Sequence, residues 1–226
     1  MSMNRGSLSF VSQMEFPKFS YCISESDFSG VLLLGDANFS WVALLNYTPL
    51  IQISTPLTYF DLVPYTVQLE GIKVVNKLLP IPKSDFEPDH NGAGQTMVDS
   101  GTQFTFLLRP VYTALQTEFL NQIAHILRGY EDSSFVFQGA MDLCYRVGLN
   151  QSKLPQLPSM TLMFRGAEMK LWCFTFGNSD LLGVEAFVIG HHHQQNVWME
   201  FDLHNSRIGL AEVQCDLAGR KFGLTV

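Results

Sequence analysis

Apolar residues come in two kinds of pattern along this chain. GVLLLGD, from Gly30, is a short apolar run closed by Gly-Asp, and in PYTVQLEGIKVVNKLLPIP the residues Tyr65, Val67 and Leu69 alternate with Thr66, Gln68 and Glu70. A period of two places one set on a single face of a strand. Gly71 interrupts the alternation where a bulge or bend would sit, and Pro80 and Pro82 end it. KSDFEPDHNGAG then reads as loop.

The second pattern occurs once. In PVYTALQTEFLNQIAHIL, Val111, Leu115, Phe119, Ile123 and Ile126 recur at spacings of three and four, which predicts a helix over about residues 110–128. Pro110 falls where a helix start tolerates it. Further on, SFVFQ, TLMF, LWCFTF, EAFVIG, NVWMEFDL and RIGLAEV read as short strands. The expected fold is mainly β with one main helix, without internal repeats or a linker.

Composition narrows the class. The chain has 226 residues, 46% of them hydrophobic, enough for a sizeable core. A formal charge of -7, with 14 Lys and Arg and no basic cluster, excludes binding to a phosphate backbone as an expected function. No apolar run approaches the roughly 18 residues of a membrane span. The start, MSMNRGSLSFVSQM, lacks a secretion-signal pattern, whereas sequons at Asn38, Asn46 and Asn150 could carry sugar only in the secretory route. Cys22, Cys144, Cys173 and Cys215 are widely spread, without the spacing of a zinc or redox motif. They fit either two disulfides or reduced buried thiols.

Candidate chemistry sits in GQTMVDSGTQFTFLLRP, Gly94 to Pro110. Asp-Ser-Gly-Thr is by itself common turn material. Here Met97 and Val98 lead in, Phe104 and Phe106 lead out, and a second apolar-apolar-Gly element, FVIG, ends at Gly190. The local order strand, turn, strand, helix would hold Asp99 rigidly at a sheet edge.

With these motifs, and with MEFD and RIGLAE following in order, the chain resembles the second lobe of a pepsin-like aspartic endopeptidase nearly end to end. FPKFSYC, SGVLLLGD, MVDSGTQFTFL, MDLCY and WCFTFGNSD are similar to the plant nepenthesin-like branch. The resemblance implies a pepsin-like acid-protease fold, peptide substrates bound extended between two lobes, a secretory location and no cofactor. It implies hydrolysis by water activated between two Asp carboxyls that share one proton. Asp99 would be one of them, with Ser100 and Thr102 orienting it, Gly101 permitting the turn, and Ile189 and Gly190 packing beneath. It also implies a Cys144–Cys173 bridge, which leaves Cys22 with Cys215.

No second Asp-[Ser/Thr]-Gly occurs: Asp36 precedes Ala, Asp61 and Asp180 precede Leu, and Asp132 precedes Ser-Ser. Residues 1–20 match the tail end of a first lobe and 21–226 the second, so the first lobe, with its catalytic Asp and flap, is expected to be missing by truncation. A hairpin present in relatives is also expected to be missing near residues 169–171, in RGAEMKLWCF. Alone, the chain is expected to be inactive.

Two other functions fit the same residues. One is a catalytically silent binding protein, as plant xylanase inhibitors resemble nepenthesins; the other is a homodimer giving one Asp per copy, disfavoured because a second lobe is shaped for a different partner. HHHQQ, His191 to Gln195, is expected as a surface or pH-sensitive strand rather than a metal site, because no nearby Cys, Asp or Glu completes a ligand set.

Overall fold

The computed structural model describes residues 3–25, 30–36, 42, 44–53, 64–129, 132, 134–146 and 155–222. Its strands, in chain order, are β1 (Lys18–Ile23), β2 (Gly30–Leu34), β3 (Asn46–Pro49), β4 (Tyr65–Val67), β5 (Leu69–Val74), β6 (Lys77–Leu78), β7 (Thr96–Val98) and β8 (Thr105–Leu107). After the main helix follow β9 (Arg128–Gly129), β10 (Tyr145–Arg146), β11 (Met160–Phe164), β12 (Ala167–Leu171), β13 (Phe176–Asn178), β14 (Phe187–Ile189), β15 (Val197–Asp202) and β16 (Arg207–Glu212). Helices are α1 (Phe10–Gln13), α2 (Arg109–Ile123) and α3 (Cys215–Lys221).

Three sheets carry the fold, in the orders β2-β1-β15-β16-β3, β12-β11-β5-β6 and β13-β8-β14-β7-β4, with β9 and β10 as a separate pair. The break at Gly71 is a bulge: Met163 faces Gly71 and Phe164 faces Leu69, so Glu70 is the extra residue. α2 buries Val111, Leu115, Phe119 and Ile123, as their spacing requires, and adds Tyr112. It packs on β5, β8 and β13. Ile126 lies beyond the helix end, in a turn closed by its N–H to the Ile123 carbonyl at 2.7 Å.

Several expected strands differ. SFVFQ is turn and irregular chain with an isolated bridge between Phe137 and Met141, and LWCFTF is split, β12 ending at Leu171 and β13 starting at Phe176. HHHQQ is not a strand: His191–Gln194 form a 3-10 turn, because the chain must leave the buried β14 and turn into β15 within a few residues.

Cys22 and Cys215 form a disulfide that ties β1 to the start of α3. The other expected bridge is absent, since Cys144 and Cys173 are free. Cys144 Sγ lies 3.8 Å from the Met141 carbonyl oxygen, and Cys173 Sγ lies 3.7 Å from Thr175 Oγ1. The two cysteines sit on separate connecting segments, Cys144 before β10 and Cys173 between β12 and β13. Asn46 is exposed at the start of the edge strand β3; Asn38 and Asn150 lie outside the described residues. No helix among the described residues is long and apolar enough to cross a membrane.

Candidate active site

Asp99 follows β7 directly, and its position is set by a crossover. β7 and β8 are consecutive in the chain, yet β14 inserts between them, parallel to β7 with Ile189 opposite Val98 and antiparallel to β8 with Val188 opposite Phe106. The Asp-Ser-Gly-Thr segment must therefore bridge over the end of β14. All three residues of β7, β8 and β14 are buried, which anchors both ends of the bridge in the core.

The bridge is pinned to β14 and the turn after it. Asp99 N–H donates to the Ile189 carbonyl at 3.1 Å, and the N–H groups of His191 and His192 donate to the carbonyls of Thr102 and Gln103 at 2.8 and 3.1 Å. Gly190 N–H donates to Thr105 Oγ1 at 3.1 Å. A Cβ on Gly190 would lie 2.1 Å from the Phe104 carbonyl oxygen, inside any tolerable contact. This is why apolar-apolar-Gly, and not merely an apolar strand, accompanies the Asp turn.

Within the turn, Gly101 N–H donates to Asp99 Oδ1 at 2.8 Å and the Thr102 hydroxyl donates to Asp99 Oδ2 at 2.7 Å. Both carboxylate oxygens are thus oriented, and Asp99 remains exposed. Gly101 has no left-handed φ. Its lack of a side chain leaves room instead, since a Cβ there would come within 3.1 Å of Asp99 Oδ1.

Tyr21, near this site, is not singled out by the sequence, and Gln194 and His193 read there only as members of the HHHQQ surface strand. The Tyr21 hydroxyl donates to Gln194 Oε1, and Gln194 Nε2 donates to the Ile189 carbonyl at 2.7 Å. Burial pushes the Tyr21 phenol far above its ordinary pKa; a hydrogen bond with the Ser100 side chain opposes the rise and the Asp99 charge adds to it. His193 is buried, its Nδ1 2.7 Å from Thr105 Oγ1 and its Nε2 2.9 Å from Thr175 Oγ1 and 3.3 Å from the Cys173 carbonyl. Since the carbonyl can only accept, Nε2 carries the proton and Nδ1 accepts from Thr105. Burial holds His193 down to about 4, against the pull of the Cys173 carbonyl and helped by the neighbouring His192. The one available signal was positional: a polar run directly after a buried strand must bury some of its members.

No group of three or more His, Cys, Asp or Glu that could hold a metal ion occurs among the described residues.

Known proteins share this arrangement of sequence and fold. The family model described as Xylanase inhibitor C-terminal matches residues 64–212. The chain is 62% identical over 247 aligned positions to aspartic proteinase PCS1 of Arabidopsis thaliana, covering 99% of this chain and 54% of that protein. It is 32% identical over 231 positions to aspartic proteinase nepenthesin-1 of Nepenthes gracilis, covering 95% and 49%. The chain thus spans about half the length of the curated relatives it matches. Among solved structures, EDGP superposes with a TM-score of 0.74 at 20% identity, over 96% of this chain and 60% of that one. Basic 7S globulin from soybean does so at 0.67 and 19%, over 95% and 58%; at such identities the fold alone is shared. The chain belongs to the plant pepsin-like aspartic proteases and corresponds to their C-terminal lobe.

Proposed function

We propose that this chain supplies one half of an aspartic endopeptidase site, with Asp99 as its catalytic carboxylate. The observation that carries the reading is the state of that carboxylate: exposed, both oxygens oriented by Gly101 and Thr102, and set on a crossover that cannot drift. Hydrolysis needs a second carboxyl close enough to share one proton, so that one group takes a proton from water while the other donates to the substrate carbonyl. Among these 226 residues no other Asp-[Ser/Thr]-Gly exists, and the partner Asp comes from a first lobe. The length of the relatives, about twice that of this chain, supports this. Peptide would lie extended between the lobes, and the Cys22–Cys215 bridge fits a secretory location.

The alignment to PCS1 runs over 247 positions, more than the chain's 226 residues, so that relative carries residues absent here. We infer that a hairpin shortened near residues 169–171 contributes to the difference, a reading supported by the passage from β12 to β13 in only four residues.

The 226-residue chain alone should show no pepstatin-sensitive cleavage of a denatured protein substrate at acid pH, while a two-lobed form carrying a first-lobe Asp-Thr-Gly should. Robust acid proteolysis by the short chain, abolished by Asp99→Asn, would overturn the half-site reading. A second reading, a silent binding protein, is favoured by the inhibitor description of the matching family model. It predicts no cleavage by the two-lobed form either.

A further inference from the structure

The Asp99 turn has two sets of restraints, and only one of them belongs to its own motif. Gly101 and Thr102 orient the carboxylate relative to the turn; they do not fix the turn relative to the sheet. The His191 and His192 N–H groups hold its far end at Thr102 and Gln103, and its Asp99 end depends on the Ile189 carbonyl, which accepts two hydrogen bonds, from Asp99 N–H at 3.1 Å and from Gln194 Nε2 at 2.7 Å. Both lone pairs of one oxygen are therefore in use.

Gln194 is fully buried, and a buried amide is destabilising unless its hydrogen-bonding groups find partners. Both of its ends are satisfied: Nε2 by the Ile189 carbonyl and Oε1 by the Tyr21 hydroxyl. Tyr21 belongs to β1, in a different sheet, where its ring stacks on Phe201 with centroids 5.5 Å apart. One rigid side chain from β1 thus reaches the turn through Gln194, to the carbonyl that holds Asp99. Neither Tyr21 nor Gln194 bonds the Asp99 carboxylate, so their action on it is indirect.

We propose that Tyr21 and Gln194 are positioning residues for Asp99, a hydrogen-bonded brace that registers the Asp-Ser-Gly-Thr turn against the β1–β15 sheet. The proposal rests on Asp99 being the catalytic carboxylate for its purpose, though not for its geometry.

Amide hydrogen exchange of the 226-residue chain, followed by NMR, tests it. Tyr21→Phe keeps the stacked ring and deletes the hydroxyl. The expected result is a fall of at least tenfold in the protection of the Asp99 amide, with the amides of β15 and β16 unchanged. Gln194→Glu provides the rescue: the introduced carboxyl group cannot donate to the Ile189 carbonyl when ionised, whereas it can when protonated. Protection of Asp99 should therefore be lost at neutral pH and recovered at acid pH. Should this variant not fold, Tyr21→Phe decides alone. Unchanged Asp99 protection in folded Tyr21→Phe, or a loss spread evenly over the lobe, would overturn the brace. In a two-lobed form, Tyr21→Phe should lower kcat while leaving KM. Exchange needs no catalysis, so a local loss of protection alongside an inactive two-lobed protein would refute the peptidase reading and leave the brace standing.

Discussion

Two aspartates of this lobe sit in opposite circumstances. Asp99, on the turn after β7, is exposed and receives one N–H and one hydroxyl. Asp202, at the end of β15, is 0% exposed and receives the Asn205 N–H at 3.1 Å, Asn205 Nδ2 at 2.8 Å and Arg207 Nε at 2.9 Å, with Lys18 Nζ 3.9 Å away. Burial disfavours its charged form, yet the bonds from Asn205 and Arg207 and the Lys18 charge outweigh it and hold the carboxyl below its ordinary range. A saturated carboxylate of this kind is a structural rivet. Asp99 keeps lone pairs and solvent access, which proton transfer requires.

The contrast is sharpest in activity. Asp99→Asn in a two-lobed form should reduce peptide hydrolysis to background, as measured by release of a fluorogenic peptide, while urea unfolding of the same variant stays within about 0.5 kcal/mol of the parent. If the variant cleaves, the carboxylate is not the reacting group.

Asp202→Ala should do the reverse to stability. It empties a buried position and leaves the half-exposed Arg207 and the exposed Asn205 without their carboxylate; because both donors reach solvent, the cost is about 3 kcal/mol, the low end for a broken buried pair. Urea unfolding reads it; a loss comparable to that of Asp99→Asn would erase the distinction. Because the folded pKa of Asp202 is depressed, its contribution is full above the ordinary carboxyl pKa and is lost as pH falls through the folded value. Stability should therefore drop below about pH 4, a drop that Asp202→Asn abolishes.

A smaller effect separates the two regions by pH. His193, on the Asp99 side, is neutral when folded and held down to about 4 by burial among Thr105, Thr175, the Cys173 carbonyl, the Phe176 ring and His192. Unfolded, it takes a proton near pH 6.5, so the unfolded state binds more protons between there and about 4. Stability should decline over that window as pH falls, by roughly 2–3 kcal/mol in total, and His193→Gln should flatten the slope. An unchanged slope would show that His193 is not the group responsible.

The Asp turn, the β14 glycine and the α2 stripe were legible because each obeys a local rule: a turn signature, a close backbone approach, a period of 3.6. Other features depend on partners far away in the chain. Nothing near Tyr21 in the sequence announces Gln194, 173 residues later. Three consecutive histidines look like surface; only the crossover over β14 shows that His193 must point inward. The Cys144–Cys173 pairing failed for the same reason, since the short passage from β12 to β13 sets where Cys173 lies and that path is a tertiary fact.

Cys22 and Cys215 are 193 residues apart, so the bridge closes nearly the whole lobe into a covalent ring. A single peptide cut at any point between them would open the ring without releasing a fragment. Processing inside this lobe would then be invisible by size until a reductant was added, and the nicked pieces would stay joined through the sulfur bridge.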